Sequence, residues 1–462
     1  MRLLGINNKV LILDEVHAYD GYMVRLLEGL LLFHAAQGGS TIILSATLPF
    51  SLRSRLLTAF SRGAGWAAPA PEKDAGYPWA SYLHCHGLVE RQLATRAAVK
   101  RHVTVHWLTQ LDEAIAMIEK AAAEQRCICW IRNSVDDAML VYHQLRLRGT
   151  IPEENLLLFH SRFAFIDRMR IEQTALDWFG KNADPHARRG KVLIATQVVE
   201  QSLDIDLDMM ISDLAPIDLL IQRAGRLQRH IRDKNGKVAT ALNDARPAPV
   251  LSILAPVWQP DAQLNWLGES LRNTGYVYAD HACLWRTQAV LRDLGAITMP
   301  EQARTLVESV YEEVIDAPLA LRDVADQVYG KMLSARAAAG QNVLSRDKGY
   351  DRRASDTLWS DAVELSTRLS EPTLDIYLAY RTPVGISPYA GTEDFPWEKS
   401  RVQVRESWWQ AHCATLPQLQ EEELELFRQQ QHRPQGKVLL LAIDEECDYY
   451  RKDLGLLGIN NN

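Results

Sequence analysis

The sequence predicts an α/β protein with parallel, doubly wound sheets, and three observations support this fold class. Val10–Leu13 and residues 41–44 are short apolar runs of the kind expected for buried parallel strands. Residues 22–36 lie between them, carry apolar positions at helical spacing and are followed by Gly38 and Gly39, which favour a helix end. Because parallel strands need such a crossover connection, the strand–helix–strand order itself predicts a parallel sheet.

A second α/β region is predicted to begin near residue 105. Its strand candidates are the apolar runs at residues 127–131, 192–195, 209–212 and 250–254. Residues 111–122 have a helical apolar face, and a further helix is expected to open at Pro216. The pattern is helical from about 280 to 335, and the remainder mixes aromatic residues, prolines and acidic runs. We interpret that remainder as a small separate domain.

Length and composition narrow the function classes. A chain of 462 residues corresponds to about three domains of roughly 150 residues each. Its 47% hydrophobic and 24% charged residues are ordinary for a globular protein and exclude a mainly disordered, collagen-like or coiled-coil architecture. The formal charge of −7 means that nucleic acid would have to bind in a local groove rather than over the whole surface.

Cysteine usage and hydropathy predict a cytoplasmic location. The six cysteines form no C-x-x-C pair, so neither a zinc site nor a disulfide framework is expected. No apolar run reaches the roughly 18 residues that a membrane-spanning helix needs. Residues 1–9 also lack the pattern of a signal peptide.

Two adjacent carboxylates, Asp14 and Glu15, directly follow the first apolar run. Ligands of open α/β sheets bind at the carboxyl ends of the strands. One carboxylate there suits a magnesium ion, and the other can orient an attacking water in nucleotide hydrolysis. The alternative interpretation is a pair of solvated acids at the start of a loop.

Two small hydroxyl residues, Ser45 and Thr47, follow the second apolar run. Alone they mean little, because such residues are common where strands end. Because Asp14 and Glu15 follow the neighbouring strand, the two motifs together are a much stronger indication of a functional site than either one alone.

The third cluster is a basic segment at residues 222–229. On a helix, Gln222, Arg226 and Arg229 would share one face, since they are spaced at i, i+4 and i+7. Arg226 and Arg229 would then point together at one phosphate group, to which a guanidinium makes bidentate contacts. Arg223 lies one position round this helix, so we expect Arg223→Ala to lower nucleotide turnover much less than Arg226→Ala. A solvated basic face is the alternative.

Two segments between these clusters begin as strand-to-loop transitions. They are residues 159–162, followed by Arg168, and residues 195–206. Within the second segment, Thr196 can hydrogen-bond a phosphate oxygen. Asp204 can contact either a ribose or the arginine pair.

Together these segments resemble superfamily 2 helicases. Residues 14–17, 45–47, 159–162, 196–206 and 222–229 occur in the order of motifs II, III, the IV region, V and VI. Residues 13–20, 44–49 and 222–230 are similar in wording to the CRISPR-associated helicase–nuclease family of type I interference systems, as are residues 130–135 and 453–456. The resemblance is dense over residues 9–230 and thinner beyond.

This resemblance implies tandem RecA-like helicase domains, the first one incomplete, with a helical linker and a C-terminal accessory domain. The implied boundaries are 1–104, 105–280, 281–335 and 336–462. The implied function is ATP-dependent translocation on single-stranded DNA in antiviral defence, with ATP and Mg²⁺ as cofactors and the RNA-guided surveillance complex as a partner. The alternatives are a superfamily 2 RNA helicase and a non-catalytic piece that binds DNA or the surveillance complex.

The resemblance also implies roles for individual residues. Asp14 would bind Mg²⁺ and Glu15 would activate water, while Arg226 and Arg229 would contact the γ-phosphate. The ATP site would further include Asp204 and Gln222. His17, Ser45 and Thr47 would couple hydrolysis to DNA movement. The residues that would line the DNA path are Asn133, His160, Ser161, Arg162, Arg168 and Thr196.

The resemblance is incomplete at its start. The phosphate-binding loop G-x-x-x-x-G-K-[ST] occurs nowhere in residues 1–462, and neither do the family's nuclease residues. We therefore expect a C-terminal part of the family protein: a truncated product, an inactive remnant, or half of a split enzyme whose partner chain carries the nuclease domain and the loop. We therefore expect residues 1–462 alone not to act as an ATP-driven motor. The strand at 10–13 is also expected to expose its backbone and apolar faces.

Overall fold

A computed structural model describes residues 5–6, 8–16, 21–46, 48–73, 76–96, 99–200, 203–239, 244–312, 314–342, 373–383, 385–419, 421–429, 436–441 and 448–458. His17 and Thr47, both expected to couple hydrolysis to movement, lie outside the described residues. No helix in these ranges is long and apolar enough to cross a membrane.

The first unit, residues 5–96, is the predicted strand–helix–strand arrangement. Strands β1 (Val10–Leu13) and β2 (Ser40–Ile43) pair in parallel, and helices α1 (Gly21–Ala36) and α2 (Phe50–Ala64) bury their apolar side chains against one face. On the other face Val10 and Ile12 are 59% and 62% exposed. This matches the exposed apolar face predicted from the sequence. An antiparallel hairpin of β3 (Trp79–His84) and β4 (Gly87–Gln92) follows.

The second unit is a seven-stranded sheet. Its strands are β5 (Arg101–Leu108), β6 (Ile128–Ile131), β7 (Leu156–Phe159), β8 (Val192–Ala195), β9 (Met209–Asp213), β10 (Val250–Leu254) and β11 (Ala296–Met299). They lie in the order β11-β5-β10-β9-β6-β8-β7, and all neighbours are parallel except β11 and β5. Every residue of β6 and β8 is buried, as expected for parallel strands covered on both faces.

These strands confirm the α/β fold class and the predicted runs near 127–131, 192–195, 209–212 and 250–254. The sheet nevertheless extends beyond residue 280, where the sequence predicted the unit to end, because β11 pairs with β5. The helices along this unit are α3 (Leu111–Ala123), α4 (Val135–Arg148), α5 (Phe165–Phe179), α6 (Ile217–Ala224), α7 (Arg272–Val277), α8 (His281–Leu294), α9 (Ala303–Tyr311) and α10 (Leu319–Asn342). Helix α10 packs against α1 of the first unit.

The C-terminal unit is a four-stranded sheet with a small hairpin. It contains β12 (Thr373–Thr382), β13 (Gly385–Pro388), β14 (Arg401–Arg405), β15 (Lys437–Leu441), β16 (Tyr450–Arg451) and β17 (Gly455–Leu456), and helices α11 (Pro396–Lys399), α12 (Glu406–His412) and α13 (Glu421–Gln429). Its core includes Ala164 and Ile166 from the start of α5. Asp167 accepts hydrogen bonds from the hydroxyls of Tyr389 (2.8 Å) and Tyr450 (2.5 Å). The C-terminal unit is thereby fixed on the second unit.

Candidate functional site

Asp14 and Glu15 lie at the carboxyl end of β1, as the sequence predicts. The Oδ1 atom of Asp14 accepts a hydrogen bond of 2.9 Å from the backbone N–H of Glu15, whose own backbone is left-handed with a φ of 54°. Both side chains are exposed, whereas Val16 anchors the turn in the core. The pairing of β1 and β2 continues through a bond of 2.8 Å from Leu44 N to Leu13 O. Asp14 and Ser45, which follow the two strands, therefore lie at the same sheet edge.

The predicted helix through Arg229 is wrong, because α6 ends at Ala224. Arg226 and Leu227 instead form a turn, and Leu227 pairs with Leu207 as an isolated parallel bridge. Gln228 has a φ of 45°, which a right-handed helix does not allow. Gln222 remains on the last turn of α6, so the predicted common face of Gln222, Arg226 and Arg229 does not form on one helix.

Arg226 and Arg229 still come together, by a different route. Arg226 donates from Nη2 to the carbonyl of Glu200 at 2.7 Å. Burial and the positive charge of Arg229 lower the pKa of Arg226, and the carboxylates of Asp204, Glu200 and Glu15 oppose that lowering. Glu15 of the first unit is thus within electrostatic reach of Arg226 of the second. Arg226 is half-buried and Arg229 is exposed, and a phosphate near both would replace their mutual repulsion with attraction.

Asp204 is the acidic residue that holds the second arginine. Its Oδ1 lies 2.6 Å from Nε of Arg229 and 3.1 Å from Nε2 of His230. Burial raises the pKa of Asp204, but the bonds and charges of His230 and Arg229 outweigh it, so the pKa is lowered. Asp204 thus contacts Arg229 of the arginine pair, which is one of the two partners that the sequence left open for it.

Arg223 has a different place from the one expected. Its side chain is fully buried, with Nε 2.7 Å from Oε1 of Glu200 and Nη1 2.8 Å from Oγ of Ser212. Removing one partner of a buried pair leaves an uncompensated charge and costs about 3–5 kcal/mol. The expectation that Arg223→Ala lowers ATP turnover much less than Arg226→Ala assumed an unburied position on the helix. The structure buries Arg223 instead, so its loss would destabilise the second unit.

Three of the six residues expected along the DNA path are buried. Asn133, His160 and Thr196 are 2%, 0% and 3% exposed. The side-chain amide of Asn133 donates to the carbonyl of Leu214 at 2.8 Å and to Thr274 Oγ1 at 3.0 Å, so both of its N–H groups are bound within the protein. Each of the three follows a buried strand, and protein atoms enclose its side chain in this structure.

His160 is buried by the C-terminal unit. Its Nε2 lies 3.1 Å from the carbonyl of Leu454, and its ring stacks on Phe163. Burial and the nearby charge of Arg162 lower the pKa of His160 to about 3, so the ring is neutral at pH 7. A neutral, enclosed imidazole cannot neutralise a DNA phosphate.

The other three predicted DNA residues reach the surface. Ser161 is exposed, Arg168 pairs with Glu172 at 2.9 Å, and Arg162 pairs with Asp136 at 2.6 Å. The guanidinium of Arg162 also lies over the ring of Trp408 in the C-terminal unit, 5.3 Å from its centroid. Ser161 and Arg168 therefore remain available for phosphate contacts, whereas the side chain of Arg162 is only 15% exposed.

Glu200 is a site residue that the sequence reasoning did not single out. Its carboxylate binds Arg223 and its carbonyl binds Arg226, so it joins the buried arginine to the half-buried one. An acidic residue after the apolar pair Val198-Val199 was the available signal. No group of three or more His, Cys, Asp or Glu side chains able to hold a metal ion occurs within the described ranges.

Two features define a tandem RecA-like protein of the helicase class: the first unit carries Asp14 and Glu15 at a parallel sheet edge, and the second carries Arg226, on which the charge of Glu15 acts. Residues 124–232 match the family model "CRISPR-associated nuclease/helicase Cas3, C-terminal". The chain is 34% identical to the CRISPR-associated endonuclease/helicase Cas3 of Escherichia coli (strain K12) over 332 residues, which are 69% of this chain and 34% of that protein. The chain therefore belongs to the Cas3 family.

Solved structures agree with this assignment. The crystal structure of T. fusca Cas3 matches with a TM-score of 0.77 at 26% identity and covers 99% of this chain and 54% of that one. A chain of the CRISPR RNA-guided surveillance complex, pre-nicking, matches with a TM-score of 0.74 at 25% identity, over 99% of this chain and 58% of that one. The structures of T. fusca Cas3 with ATP, AMPPNP and ADP are also similar to this chain. The chain thus spans about half the length of these structures and about a third of the E. coli relative.

Proposed function

We propose that this chain supplies the helicase part of an ATP-dependent translocase on single-stranded DNA that acts in type I CRISPR interference. The observation that carries the proposal is the exposed pair Asp14 and Glu15 at the carboxyl end of β1, the sheet edge at which such proteins bind ligands. The charge of Glu15 also acts on Arg226 of the second unit, which is consistent with a site between the two units. A nucleotide between the two units would couple their relative motion to hydrolysis. The structures of T. fusca Cas3 with ATP, AMPPNP and ADP support ATP as the nucleotide.

The proposed roles follow the geometry of the site. Glu15 would orient the attacking water, and Arg226 and Arg229 would stabilise charge on the γ-phosphate. Asp204 would hold Arg229, and Gln222 would line the nucleotide site beside them. Ser45, with His17 and Thr47 beyond the described residues, is proposed for coupling.

Asp14 is the proposed magnesium ligand. A single exposed carboxylate at a strand end fits this ion, which keeps several waters and takes one or two protein carboxylates beside phosphate oxygens. When bound, the ion would neutralise charge on the β- and γ-phosphates.

The proposed partners are single-stranded DNA, the surveillance complex and a polypeptide with the phosphate-binding loop. The match to a chain of the surveillance complex supports the second of these. The exposed face of β1 supports the third, because parallel sheets are normally covered on both faces. That polypeptide would complete the first RecA-like domain. The proposed divisions of this chain are the first RecA-like domain, the second one, the helical linker and the accessory domain, at residues 1–104, 105–280, 281–335 and 336–462, with β11 assigned to the second domain.

The test uses a complemented enzyme, defined as residues 1–462 together with a polypeptide that supplies the loop-bearing part of the first domain. Glu15→Gln should lower its DNA-stimulated ATP turnover by about 10²- to 10⁴-fold, the contribution of a positioned general base. DNA binding should be retained. Asp112→Asn, at an exposed acid on α3, is the matched control and should leave turnover unchanged. Stimulation by RNA instead of DNA would favour the RNA-helicase alternative, and wild-type turnover in Glu15→Gln would reject the proposed role.

DNA binding is expected to depend on phosphate contacts rather than on base identity. Arg168 offers charge at the surface and Arg162 does so to a smaller extent, while Trp408 already contacts both the guanidinium of Arg162 and the ring of His412. The affinity for single strands should therefore fall with salt at a slope of about −0.7 for each phosphate contacted. Replacing both arginines by glutamine should lessen the slope by about 1.4. Fluorescence anisotropy with strands of different sequence measures both effects, and a strong base preference would contradict the expectation.

A further inference from the structure

The carbonyl groups of the arginine turn, residues 226–230, are all bound by donors from outside the turn. Leu207 N binds the carbonyl of Arg226 at 3.0 Å. Arg101 donates from Nη1 to the carbonyls of Leu227 and Gln228, both at 3.0 Å, and from Nη2 to that of Arg229 at 2.8 Å. Arg246 donates from Nη2 to the carbonyl of His230 at 2.6 Å.

This arrangement replaces the helix that the sequence predicted there. In a helix these carbonyls would accept bonds from N–H groups four residues later. Since α6 ends at Ala224, they would otherwise need water or other donors. Arg101 alone satisfies three consecutive carbonyls, and it does so from two separate nitrogens of a rigid planar guanidinium. A lysine ammonium also has three donors, but they radiate from one nitrogen and cannot span the carbonyls in the same way.

The position of Arg101 has an electrostatic cost. Burial and the positive charge of Arg229 lower its pKa, so a third cation is held next to the arginine pair. Arg246 is balanced differently: burial lowers its pKa, but Asp244, Asp206 and Asp208 raise it by more. Arg101 has no carboxylate within hydrogen-bonding distance among the described contacts, and the carbonyl dipoles of the turn are its partners.

We propose that Arg101 is a positioning residue that holds Arg226 and Arg229 in place for the γ-phosphate. This inference rests on the proposed function. Arg101 is the first residue of β5 and directly follows the segment between the first and second units. It is therefore the point at which the chain enters the second unit and binds the turn that faces the first.

The kinetic test compares Arg101→Lys and wild type in the complemented enzyme. The kcat for ATP should fall about 10- to 100-fold, because a displacement of about 1 Å in a positioned group has an effect of this size. The KM should change little, since ATP is held mainly by the loop-bearing polypeptide. Arg148→Lys, at an exposed ion pair on α4, is the matched control and should leave both constants unchanged.

A double mutant separates positioning from general stability. In an Arg226→Ala background, Arg101→Lys should cause little further loss of kcat, because the group that it positions is already gone. Equal losses in both backgrounds would overturn the proposal. If Arg226→Ala itself leaves turnover unchanged, the proposed function fails instead.

A second measurement needs no turnover. In residues 1–462 alone, hydrogen exchange of the amides at 226–228 should accelerate about fivefold or more in Arg101→Lys, because their turn loses carbonyl bonds that hold it. Amides of β6 should be unaffected. Unchanged exchange at 226–228 would overturn the proposal whatever the ATPase result.

Discussion

Replacing Arg226 by alanine is expected to lower the DNA-stimulated ATP turnover of the complemented enzyme by about 10³- to 10⁵-fold, the range that an arginine finger contributes. The guanidinium is held by the carbonyl of Glu200 at 2.7 Å and lies within electrostatic reach of Glu15. Charge that develops on the γ-phosphate would thus meet a preorganised cation in a partly buried site. Preorganised groups of this kind need no reorganisation during the reaction.

The measurement is single-turnover ATP hydrolysis with saturating single-stranded DNA, with nucleotide binding recorded separately. Binding should change much less than turnover, because Arg226 is proposed to act on developing charge. The neighbouring Arg223 is not a useful control, since it is buried against Glu200 and its loss would destabilise the unit. Arg148→Ala serves instead. Turnover close to wild type in Arg226→Ala would show that this arginine does not reach the phosphate.

The strands were predictable because their signal is local. Val10–Leu13, Val192–Ala195 and Val250–Leu254 were predicted with the bounds that the structure has. Each is a short apolar run that a parallel sheet buries, and a run of this length between polar turns has few other uses. The placement of Asp14 at a sheet edge followed from the same rule, because ligand sites of such sheets lie beyond the carboxyl ends of the strands.

The arginine turn was not predictable from spacing. The inference from the spacing of Gln222, Arg226 and Arg229 assumes that the helix continues to Arg229. The turn that replaces the helix is instead stabilised by a bridge from Leu227 to Leu207 and by three bonds from Arg101. Those bonds join residues more than a hundred positions apart. Local sequence carries no sign of such partners.

Burial of the expected DNA residues has a similar cause. His160 follows a strand, where the sequence suggests a surface site, but residue 454 of the C-terminal unit covers it from 294 positions away. Asn133 is enclosed by Leu214 and Thr274, which also come from later in the chain. A motif locates the sheet edge in such cases, but the side chain that reaches the ligand is decided by what packs over that edge.

Residues 1–462 by themselves are expected to show no DNA-stimulated ATP turnover above background. Tight use of ATP needs backbone N–H groups and a lysine around the β- and γ-phosphates, and the loop that provides them does not occur in this sequence. Glu15 and Arg226 would then face a pocket that lacks one wall. Because phosphoryl transfer depends on positioning and charge stabilisation together, such a pocket loses far more than half of its rate.

Adding the loop-bearing polypeptide is expected to restore turnover and to protect the first unit. The apolar side chains of Val10 and Ile12 would become covered, so the mixture should unfold at a higher temperature than residues 1–462 alone. Robust turnover by residues 1–462 alone would reveal a phosphate-binding segment of another kind. Restored turnover would support one half of a split enzyme. Stable association without turnover would favour the non-catalytic alternative, because it would mean that a completed pocket with Asp14, Glu15, Arg226 and Arg229 in place still does not hydrolyse ATP.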